Sequence, residues 1–112
     1  MSDRELLEFA AKAAGIEAHF DFGSANAMVL VKPRGFQVFW NPLADDGDAL
    51  RLAVKLGLDV QMHGCNSMHP YAFAFDDARN IGEEEQPSDG DPYAATRRAI
   101  VRAAAAIGKD LP

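Results

Sequence analysis

The sequence holds one cysteine (Cys65), one tryptophan (Trp40) and two tyrosines. A single cysteine excludes a disulfide within the chain and matches the usage of a reducing compartment, so a cytoplasmic protein is expected. No apolar run approaches the roughly 20 residues that cross a bilayer, so membrane insertion is not expected. The opening Met1-Ser2-Asp3-Arg4-Glu5 is acidic, and Glu8 and Lys12 interrupt the apolar stretch behind it, which is unlike a signal peptide. Basic residues are also scarce: 11 against 17 acidic, a formal charge of −6. That balance repels a phosphate backbone at long range and argues against nucleic acid as a partner. Glycine-rich phosphate loops, a strand-end serine elbow and paired carboxylates are all missing, so no cofactor is implied.

What remains is the composition of a folded domain, 48% hydrophobic and 25% charged over 112 residues. One core fits that length, and residues 1–112 are expected to form one α+β domain. Ser2 and Glu5 form a capping box, and apolar residues at helical spacing lead to Gly15, which predicts a helix over Asp3–Ala14. Strands are expected over His19–Phe22, Ala27–Lys32 and Phe36–Trp40, with 32–35 as a turn. A second helix, capped by Asp45 or Asp46, runs to Leu56 and stops at Gly57. Its apolar arc is wide enough to predict close packing on a sheet.

Leu58–His63 and Tyr71–Phe75 read as two further strands, the second with Tyr71, Phe73 and Phe75 on one face. The acids, Gly, Pro and Ser of residues 76–91 predict a mobile, solvated loop. Asp91-Pro92 then opens a long helix ending near Gly108, with Tyr93, Thr96, Ile100, Ala103 and Ile107 expected against the sheet. The expected order is α-β-β-β-α-β-β-α: about five strands in a mostly antiparallel sheet, with three helices on one face.

Three stretches, DRELLEFAAKAAGI over 3–16, WNPLADDGDALRLAVKLG over 40–57 and DPYAATRRAIVRAAAAIG over 91–108, resemble small uncharacterised bacteriophage and prophage proteins of the NinX type. The resemblance implies a phage or prophage origin and a life inside the bacterial host cell. It implies no activity.

Few residues suggest chemistry. His63, Cys65 and His69 are of metal-ligating type, but three ligands in one loop fall short of a closed zinc site, so metal binding is not expected. A small metal-dependent or cysteine-dependent enzyme built on them is the alternative reading, although nothing orients a base toward the sulfur. Asp45, Asp46 and Asp48 lack the alternating oxygens of a calcium loop and suit a helix cap better. The same acids stand where a double-stranded-RNA module needs lysines.

The leading expectation is a non-enzymatic accessory protein that binds another macromolecule, a host or phage protein. The candidate contact residues are the acidic run Glu83, Glu84 and Glu85, Arg98 and Arg102 on the last helix, and Trp40, which as the close of an aromatic strand is expected in the core and serves as an exposed anchor only in the alternative reading. A homo-oligomer joined through the alanine-rich surface of that helix is a further alternative.

Overall fold

The computed structural model describes residues 1–20, 27–31, 36–64, 68–87 and 90–112. The expected turn over 32–35, the last two residues of the first strand, Cys65 and Asp89 lie outside the described residues. Helix α1 spans Asp3–Ala14, with both halves of the Ser2/Glu5 capping box formed and Gly15 left-handed at its end. Strands β1 (Ala18–Phe20), β2 (Ala27–Val31) and β3 (Phe36–Trp40) follow, then α2 (Asp46–Leu56), β4 (Asp59–His63), β5 (Tyr71–Asp76), β6 (Ile81–Glu85) and α3 (Pro92–Lys109).

The protein is thus α+β, with three helices and antiparallel strand pairing throughout the described residues. The element order is the expected one as far as β5. Two features differ. The described strands form two three-stranded sheets, β1-β2-β3 and β4-β5-β6, rather than one sheet of about five. β3 ends at buried Trp40 and passes directly into the α2 cap, so β4 starts a separate ladder.

The second difference is β6, which occupies the segment expected to be a loop. Asp76 ends β5 and accepts hydrogen bonds from the backbone N–H groups of Ala78 and Arg79, folding 77–79 into one 3₁₀ turn. Asn80 then takes a left-handed φ of 55°, which reverses the chain. The side-chain hydrogen bond from Arg79 holds the Asp76 carboxyl below its ordinary value. From there Ile81, Glu83 and Glu85 alternate with Gly82 and Glu84 against β5. A run of acids can form a strand here because α3 supplies arginines to alternate positions.

Helix α3 is the centre of the molecule. Ala99, Val101, Ala103, Ala104 and Ala105 are all fully buried, which one helix face cannot supply. It packs on β5 and β6, against α1 and against α2. Small residues let these neighbours approach closely, and the alanine surface that the homo-oligomer alternative assigns to a second copy packs against α1 of the same chain. On β5 the buried residues are Ala72 and Ala74, not the aromatics. Tyr71, Phe73 and Phe75 point to the opposite face and are half-exposed, with Phe73 stacked on Phe75 at 5.1 Å. Gly82 provides the floor beneath Phe73, since a Cβ there would lie 2.8 Å from its ring.

Candidate functional site

The segment Trp40-Asn41-Pro42-Leu43 positions α2 through a chain of local hydrogen bonds. The Asn41 side chain accepts from the Leu43 N–H, and the Asn41 N–H donates to Asp48. Asp45 caps the helix by accepting from the Asp48 N–H at 2.8 Å, and Arg51 pairs with Asp48 at 2.7 Å. Arg97 of α3 then ties both parts together, donating to the Leu43 carbonyl at 2.8 Å and to Asp46 at 2.6 Å. Asp45, Asp46 and Asp48 are therefore engaged as a cap and as ion-pair partners. Trp40 is 7% exposed and belongs to the core, as expected of a tryptophan closing an aromatic strand, and it is not the exposed anchor of the alternative reading.

Held in this way, α2 packs on α3 rather than on the sheet. Ala49, Leu52 and Ala53 are buried in that contact, but Leu50 and Val54 are 63% and 72% exposed. A cleft of about 620 Å³ opens between α2, β4, β5 and the first turns of α3. The alanines Ala49, Ala53, Ala72 and Ala95 leave this space, and Leu50, Val60, Met62, Tyr93 and Ile100 give it an apolar lining. Met62 and Tyr93, 70% and 68% exposed, stand among the lining residues. Tyr93, expected against the sheet, instead stands exposed beside the cleft. Of the polar side chains that line it, Thr96 donates to the Pro92 carbonyl at 2.8 Å and Arg97 and Asp46 are paired as above, while His63 and Tyr71 also contribute to the lining. Size and lining are those of a site for an apolar ligand or segment.

On the opposite flank of α3 the sequence candidates come together as an ion network. Arg102 pairs with Glu83 at 2.9 Å and Glu85 at 2.7 Å, and donates to the Glu84 carbonyl. Arg98 reaches Asp3 of α1 at 3.1 Å and Glu85 at 3.6 Å. These contacts join α1, β6 and α3. Of the five charged residues singled out as partner contacts, Glu83, Glu85, Arg98 and Arg102 are thereby engaged with their own chain, and the exposed Glu84 side chain lies outside the network.

His63, at the end of β4, stacks on Tyr71 with ring centroids 5.0 Å apart. His69 lies in the connection to β5, and Cys65 is outside the described residues. Among the described residues no group of three His, Cys, Asp or Glu side chains is gathered around a point. No family model, curated protein or solved structure matches this chain. No helix among the described residues is long and apolar enough to cross a membrane.

The cleft is the feature that sequence reasoning missed. Its signal was present in α2, whose apolar arc is wider than one contact can bury, and in Met62, which shares a strand face with Val60.

Proposed function

We propose that this chain is a non-enzymatic accessory protein, in a phage or prophage setting, that holds an apolar segment of another protein in the cleft between α2, β4 and α3. The observation that carries this reading is the cleft itself: about 620 Å³, apolar walls, and exposed Leu50, Met62 and Tyr93 beside it. Thr96, Arg97 and Asp46 there are engaged within the chain, and the remaining lining is mostly apolar, which supports contact with an apolar surface. The intracellular setting follows from the resemblance of 3–16, 40–57 and 91–108 to phage proteins.

The test compares immobilised wild type with Leu50→Glu and Tyr93→Glu on bacterial and phage-infected lysates, followed by calorimetry with the purified partner. A protein retained by wild type and weakened about tenfold or more by either variant is expected, since each places a charge in an apolar contact. Equal retention by all three would remove the cleft from the function.

A further inference from the structure

We propose that β4 is the seam of a two-fold homodimer, in which two copies join their sheets edge to edge and the two clefts open side by side. This goes beyond the proposed function and rests on the strand edge, not on what fills the cleft.

Among the described residues β4 is hydrogen-bonded on one side only, to β5, and Asp59, Gln61, Met62 and His63 are exposed along it. It is five residues long, with no proline, glycine, lysine or bulge to block further pairing. The other edge of this sheet is protected. An antiparallel copy of β6 centred on Glu83 would bring two Glu83 side chains together, with Glu84 of each strand beside Gly82 of the other. β4 presents no such repulsion.

Symmetry restricts the register. A two-fold axis perpendicular to the sheet keeps each face on its own side, so a residue pairs only with one of the same alternation phase. The register that uses the whole strand places Gln61 on the axis. Val60 then lies opposite the second copy's Met62, two apolar side chains that both line the cleft. Asp59 lies opposite the second copy's His63, a carboxylate facing an imidazole at each end of the seam. His63 is already held on that face by its stacking on Tyr71. The strand is therefore self-complementary in charge, in apolarity and in face.

The test uses the purified full chain. Sedimentation is expected to give a dimer at about 100 µM, and Met62→Lys is expected to raise the dimer dissociation constant about tenfold or more, because a lysine would be desolvated against Val60. Met62 is 70% exposed, so the variant should keep its fold, checked by circular dichroism. Independently, in a Cys65→Ser background, Gln61→Cys is expected to form an intermolecular disulfide on mild oxidation. Residues opposed across an antiparallel pair lie about 4.5–5.5 Å apart at Cα, within disulfide reach. Asp59→Cys should not cross-link to itself, since the two positions fall about 13 Å apart along the seam. A wild type that stays monomeric at that concentration overturns the proposal. So does a dimer that ignores Met62→Lys and leaves Gln61→Cys uncoupled, as does a β4 edge that pairs only with a different protein.

Discussion

Gly108 of α3 lies directly on the backbone carbonyl of Phe9 in α1: a Cβ built on Gly108 would stand 1.9 Å from that oxygen. From sequence the glycine looks like a helix stop, yet α3 continues through Lys109 and is capped at Asp110. Its purpose is close approach. Gly108→Ala should therefore destabilise the protein by about 2 kcal/mol or more through overpacking against a backbone that cannot yield. Helix propensity alone would favour alanine by about 1 kcal/mol, so the sign of the shift in a urea melt separates the two effects.

The Arg102 network makes a graded prediction. Arg102→Met keeps much of the packing of the arginine stem but leaves Glu83 and Glu85 without their shared cation, at an expected cost of about 1 kcal/mol for a partly solvated pair. Arg102→Glu adds repulsion and should cost more. The difference between them should shrink in high salt, as chemical denaturation at two ionic strengths would show.

Asp76 predicts acid sensitivity at the β5–β6 corner. Its folded pKa is lowered by the hydrogen bond from Arg79, so its contribution is present above the ordinary carboxylate value and is lost as pH falls through the lowered one. Asp76→Asn removes that titration while retaining a capping oxygen. Unfolding measured from about pH 6 down to about pH 2 should show a shallower loss of stability for the variant than for wild type. Parallel curves would assign the acid sensitivity to other carboxylates.

On α2, neighbouring leucines should behave oppositely. Leu52 is fully buried against α3, and Leu52→Glu should prevent folding by burying an unpaired charge. Leu50→Glu and Val54→Glu, on the exposed side, should change stability by no more than about 0.5 kcal/mol. Thermal melts followed by circular dichroism distinguish the three.

All three helices were legible, because Ser2, Asp45 and Asp91 are strong caps and Gly15 and Gly57 are left-handed stops, signals that act within a few residues. Of the strands through β5, β1, β4 and β5 were legible from alternation and β2 and β3 from their apolar, aromatic and β-branched content. β6 was hidden because Glu83 and Glu85 read as solvated charge until Arg98 and Arg102, more than ten residues away, are placed above them. The faces of β5 were readable but not their destination: only the crowding around α3 selects Ala72 and Ala74 for the interior. The cleft depends on where α2 packs on α3, a placement that includes the long-range bonds of Arg97 to Leu43 and Asp46 and that no local pattern announces.

Asp3 and Arg98 meet across 95 positions of sequence, and the whole α1–α3 contact shares that separation. Helix α3 packs against α1, α2, β5 and β6, so each of these core surfaces includes residues of Pro92–Lys109. During synthesis none of these surfaces can close until that helix has left the ribosome. Until then α1 and β5 must wait with their alanine faces uncovered.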